Sequence, residues 1–188
     1  DGPAVIVANH NSHLDTLVLM TLLPIRHLKK IRPVAAADYF LRNPVLAWFA
    51  TEIIGIIPIA RQGAGSNPLA GCFQALSKGQ ILILYPEGSR GSPETRMARF
   101  KQGVRVIARK FPDVPIHPVY LDGLGKALPK GEALLVPFFC DVFVGLPITY
   151  RAKRDRFLEH LYAAMTLLAA KTDIPNSQHS LPNDQSRV

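Results

Sequence analysis

With 188 residues, the chain suits one domain and leaves little room for a second core. Apolar residues make up 48% and charged residues only 19%, below the usual quarter of a globular chain, so a sizeable core comes with a partly apolar surface. Lys and Arg total 22 against 14 acids; this formal +8 favours nucleic acid, anionic lipid or phosphorylated substrates, unless it serves solubility alone.

The elements follow in chain order. AVIVA at residues 4–8 is a short apolar run, as for a buried strand. Residues 15–23 read as a helix that Pro24 stops. A second strand is expected over 31–36, a helix opening at Asn43-Pro44 and running to Ala50, and a third apolar run over 53–59. Residues 69–78 are amphipathic enough for a helix, and QILILY at 80–85 is a strand bounded by Gly79 and Pro86. FKQGVRVIARK at 100–110 carries apolar residues at helical spacing, 116–121 is another strand, and 133–136 with 139–144 suit a hairpin. The longest helical pattern covers 153–170. The polar residues 173–188 are expected to be a disordered tail to a domain at 1–172. Strands alternating with helices predict an α/β fold, its central β-sheet mostly parallel or mixed and flanked by α-helices.

No run reaches the ~18 uninterrupted apolar residues that a membrane span needs. The nearest, 45–60, contains Glu52, Gly55 and Pro58, which suits a core or interfacial segment. Cys72 and Cys140 are far apart and form no metal spacing, so buried inert thiols in a reduced compartment are expected. The chain begins at Asp1 without a methionine and enters a strand within three residues, so an upstream anchor or targeting segment is expected to have been trimmed.

Two constellations carry chemistry. In NHNSHLD, a strand ends at Asn9 and a helix begins near Ser12, which puts His10 in the strand-to-helix turn, where α/β folds place their sites. Asp15, five residues on, can fold back onto the imidazole, fix its tautomer and leave the other nitrogen as a base. A structural explanation competes, because Ser12-x-x-Asp15 also resembles a helix capping box. A metal reading of His10, His13 and Asp15 lacks a compact fourth ligand, so no metal is expected. In YPEGSRG, Gly88 and Gly91 allow tight turns, Arg90 offers a forked donor for phosphate or carboxylate, and Glu87 can accept from a polyol hydroxyl or hold Arg90. An ordinary surface turn uses the same residue types. Arg61 at the end of GIIPIAR is a second candidate phosphate contact or a solvated strand-end charge. Lys101 follows the candidate phosphate loop, and His117 reads as a core or edge histidine.

These pieces occur together and in order. Asn9-His10-x4-Asp15, GIIPIAR, YPEGSRG and IHPVY resemble the four blocks of the PlsC-like, lysophosphatidate-type acyltransferase family, and FKQG and VGLPI fit it too. The resemblance spans roughly residues 4–148 and implies the glycerolipid acyltransferase fold. It implies transfer of a fatty acyl group from acyl-CoA or acyl-carrier protein, as co-substrate with no further cofactor, to the hydroxyl of a lysophospholipid or glycerol-phosphate-type acceptor. On that resemblance, His10 is the base and Asp15 its partner. Glu87, Gly88, Ser89 and Arg90 match the acceptor-binding block, and Arg61 matches the basic end of the second block. Pro118 lies in the block linked to acyl-donor binding or the sheet core. The chain departs from the family where many members carry a phosphate-binding Lys before an acid; here Ala37 precedes Asp38. The expected location is the cytoplasmic face of a membrane, peripheral or anchored by a missing segment, with an anionic membrane surface as partner and no nucleic acid. A lipid-binding module that lost catalysis and an acyl-ester hydrolase are the competing readings, although no G-x-S-x-G elbow is present for the latter.

Overall fold

A computed structural model describes residues 2–12, 14–37, 44–59, 67–88, 97–123 and 140–173. Six strands form one sheet in the order β3-β2-β4-β1-β5-β6. They are β1 (Ala4–Ala8), β2 (Ile31–Ala36), β3 (Ile57–Ile59), β4 (Ile81–Leu84), β5 (Ile116–Asp122) and β6 (Asp141–Val144). All neighbours run parallel except β6, which pairs antiparallel with β5, so the sheet is mixed. Ala133 to Val136, the first arm expected of a late hairpin, lies outside the described residues.

The central strands bury both faces, which explains their continuous apolar runs. In β1, Val5 and Val7 enter one core while Ile6 and Ala8 enter the other; in β4, Leu82 and Leu84 divide from Ile81 and Ile83 in the same way. The first core is closed by α3 (Ala70–Ser77), α4 (Gly103–Lys110) and α6 (Phe157–Ala170). On α6, Phe157, Leu161, Met165 and Leu168 recur at helical spacing and are all buried. The second core is covered by α1 (Asp15–Thr21) and the 3-10 turn Ile25–Lys30, with Leu19 at its centre. Pro24 separates the two, its extended backbone ending the helical path.

Two boundaries differ from the sequence expectation. The apolar run 53–59 is not one element. α2 (Pro44–Trp48) passes into a π-helical stretch, Phe49–Ile54, and Gly55 then turns the chain with φ of 76° before β3 begins. The long helix expected over 153–170 is also divided. A short α5 (Tyr150–Lys153) and a 3-10 turn (Arg154–Arg156) precede α6, and Arg154 has φ of 43°. Helical periodicity is blind to such a single backbone reversal.

Candidate active site

The sheet topology selects one crevice. The connection leaving β1 passes to β2 through α1 on one face; the connection leaving β4 passes to β5 through α4 on the other. Neighbouring strands whose connections diverge leave a gap at their carboxyl ends, where open α/β sheets bind ligands. His10 follows β1 and Glu87 follows β4, so both lie at this gap.

Asn9 fixes the start of the turn. Its buried amide donates to the Leu121 carbonyl and accepts from the Leu121 N–H, both at 2.8 Å, extending the grip of β1 on β5 beyond the regular ladder. Asp15 then closes the turn on itself. Its Oδ2 accepts from His10 Nδ1 at 2.9 Å, from the Asn11 N–H at 2.7 Å and from the Ser12 N–H at 2.9 Å. The Ser12 N–H bond to Asp15 Oδ2 is one half of a capping box; the other half is missing, because the Ser12 hydroxyl oxygen accepts from the Leu14 N–H at 3.3 Å and the Asp15 N–H donates to the Ser12 carbonyl. The structural and chemical readings of Asp15 are therefore both satisfied by one carboxylate oxygen. Asp15 is fully buried, and Oδ1 has no hydrogen-bond partner among the described residues. Facing a carboxylate, Nδ1 is the donor, which leaves Nε2 as the acceptor nitrogen. The imidazole remains 21% exposed.

Tyr85 forms the floor beneath the imidazole. The rings stack with centroids 4.1 Å apart and 20° between planes. The Tyr85 hydroxyl shares a 2.8 Å hydrogen bond with Thr16 on α1. Burial raises the phenol's pKa well above its ordinary value, and the Asp15 charge pushes the same way, so Tyr85 stays protonated. Asn9 and Tyr85 open two of the sequence blocks, but no role in the site follows for either from the sequence. Their one visible signal was a polar group at the carboxyl end of a buried strand.

Glu87 is 4% exposed and uses both oxygens locally. Oε1 accepts from the His10 N–H at 3.4 Å, and Oε2 from the Ala98 N–H at 2.9 Å. Burial raises its pKa above the usual carboxylate range, partly offset by these N–H donors. Gly88 adopts φ of 70°, and the Lys101 side chain lies across it; a Cβ there would stand 2.6 Å from Lys101 Nζ. The Lys101 N–H also donates to the Pro86 carbonyl at 2.8 Å. His10, Asp15, Glu87, Gly88 and Lys101 are thus assembled through direct contacts. Arg61, Ser89 and Arg90 lie outside the described residues, as does His13. Pro118 stands apart, buried in β5 opposite Val7, with its carbonyl accepting from Gly145. His117 lies opposite Ile6, well back along β1 from His10; burial lowers its pKa. Cys72 is buried with its thiol pushed up to about 11, as expected of an inert side chain, whereas Cys140, also expected to be buried, is only half-buried. No cluster of potential metal ligands occurs among the described residues.

The family model described as Acyltransferase matches residues 1–122. The chain belongs to the acyltransferase family. It is 35% identical over 158 residues to the chloroplastic 1-acyl-sn-glycerol-3-phosphate acyltransferase BAT2 of Brassica napus, covering 82% of this chain and 43% of that protein. It is 34% identical over 134 residues to the chloroplastic LPAT1 of Arabidopsis thaliana, covering 70% of this chain and 35% of that protein. The chain therefore spans less than half the length of these curated relatives. The crystal structure of PlsC from Thermotoga maritima, a 1-acyl-sn-glycerophosphate acyltransferase, superposes with a TM-score of 0.73 at 20% identity, covering 93% of this chain and 68% of that one. The acyltransferase-family fold is thereby confirmed for the sheet and its flanking helices.

Proposed function

We propose that this acyltransferase-family chain moves a fatty acyl group from acyl-CoA or acyl-carrier protein to the hydroxyl of a lysophospholipid or glycerol-phosphate-type acceptor. The observation that carries the reading is the 2.9 Å contact between His10 Nδ1 and the buried Asp15, at the crevice between β1 and β4. The relatives' names supply the acceptor class.

An alcohol is a poor nucleophile at neutral pH, and His10 Nε2 removes its proton as the oxygen attacks the thioester carbonyl carbon. The tetrahedral intermediate collapses with cleavage of the C–S bond. The thiolate leaves and takes the proton back from the imidazolium, so the enzyme returns to its starting state. Asp15 holds the ring and stabilises its transient positive charge. Glu87 acts here as a positioning residue, because both of its oxygens are engaged by backbone N–H groups. The acceptor's phosphate falls to Arg90 and Arg61, with Lys101 beside the same loop. This assignment aims the hydroxyl at His10.

Radiolabelled acyl-CoA offered with a panel of lysolipids and glycerol-3-phosphate tests the reading. Acylated lipid is the expected product, and free fatty acid as the main product would identify a hydrolase instead. His10→Ala should lower turnover by about 10²–10⁴-fold with an unchanged circular dichroism spectrum. Near-normal turnover in that variant would remove the base.

A further inference from the structure

We propose that the layer formed by α1, α2 and the π-helical stretch is a docking face for an anionic lipid bilayer. The inference deepens the reading above, since it names where a water-insoluble acceptor would be collected. The observation is a helical stripe of large apolar side chains turned to solvent. Along Pro44–Ile54, Val45, Trp48, Phe49 and Ile53 are exposed by 74%, 59%, 46% and 58%, while Ala47, Thr51 and Ile54 are half-buried and Ala50 is fully buried. Spacings of three, four and eight residues put the four large side chains on one stripe, and Glu52 is the charged residue beside them. An ordinary surface helix does the reverse and turns its small or polar residues outward.

A second helix extends the same face. Connections that shift toward the β3 edge cross on the side of α1, and those that shift toward β6 cross on the side of α3 and α4. The β2-to-β3 connection shifts toward the β3 edge, so α2 and the π stretch share the layer of α1. That layer also exposes Leu17, Leu22 and Ile25, the last by 84%. Seven of the twelve exposed large apolar side chains among the described residues thus belong to one side of the sheet.

Charge selects the occupant. Immediately after α1, the 3-10 turn Ile25–Lys30 exposes Arg26, Lys29 and Lys30 and contains no acid. Exposed aromatic and aliphatic side chains together with a basic turn suit the boundary between anionic headgroups and acyl chains.

Trp48 is the only tryptophan in the chain, so its emission reports this face directly. Vesicles of phosphatidylglycerol and phosphatidylcholine, with no acyl acceptor added, should shift that emission to the blue and carry the protein upward on flotation. Phe49→Ser with Ile53→Ser, which keeps the reporter, should weaken partitioning at least about tenfold with an unchanged circular dichroism spectrum. Leu167→Ser, on the opposite layer, should leave it within about twofold. Charge reversal of Arg26, Lys29 and Lys30 to Glu should abolish the preference for phosphatidylglycerol over pure phosphatidylcholine. Absence of both shift and flotation would overturn the proposal. So would equal weakening by Leu167→Ser, an anionic preference that survives charge reversal, or an emission shift driven by protein concentration alone, which would mark a second copy as the occupant. Because binding is read without substrates, its failure leaves the transfer reading standing, and loss of transfer leaves the docking face standing.

Discussion

A single oxygen, Asp15 Oδ2, accepts three hydrogen bonds and so couples the shape of a turn to the tautomer of an imidazole. This coupling makes Asp15→Asn informative. The amide can still accept from the Asn11 and Ser12 N–H groups, but it carries no charge to stabilise an imidazolium. The variant should fold and lose about 10³–10⁴-fold in kcat, measured by steady-state thioester consumption. Glu87 has a different signature. Its folded-state pKa is raised above the ordinary 4.5, so the folded chain holds that proton more tightly than the unfolded chain. Its contribution to stability is complete below about pH 4.5 and is lost as pH rises through the raised folded value. Glu87→Gln lacks this dependence, and its NH2 group replaces one of the two oxygens that accept from the His10 and Ala98 N–H groups. Thermal unfolding should therefore show the wild type's advantage over Glu87→Gln shrinking from acid toward neutral pH.

At the scale of elements, Gly55 separates the π stretch from β3. With φ of 76° it lies in the left-handed region, which costs other residues about 1–3 kcal/mol. A Cβ there would also meet the Arg32 guanidinium at 2.5 Å, but that is the end of a flexible chain and can move. Gly55→Ala should consequently lower stability by about 1–3 kcal/mol in urea unfolding, nearly all of it from the backbone. Element boundaries were legible where composition changes sharply, as at Gly79 and Pro86 around β4. They were hidden at Arg154 and within 53–59, where apolar or helical character continues through a reversal of the backbone.

Over the whole molecule, two cores of unequal cover share one sheet. The larger is sealed by three helices, and α6 contributes a column of fully buried side chains. Leu161→Ala there should cost about 2–5 kcal/mol, since the lost side chain leaves a cavity that the rigid sheet cannot fill. A denaturation midpoint displaced by less than about 1 kcal/mol would show that this core is loosely packed. The other core has α1 and its following turn as cover, and the adjoining helical layer shows its large apolar residues to solvent.

By itself, the amino-acid sequence determined what is local. Short continuous apolar runs made the central strands, helical spacing made most of the helices, and a separation of five residues sufficed for the contact of His10 with Asp15. Tertiary structure alone decided what meets across long separations: Asn9 with Leu121, the Glu87 carboxylate with the His10 N–H, and Tyr85 beneath the imidazole. It also decided which face of 44–54 looks outward. The physical reason is that periodicity records a residue's relation to its own helix or strand, whereas strand order and crossover side arise only when distant segments close upon one sheet.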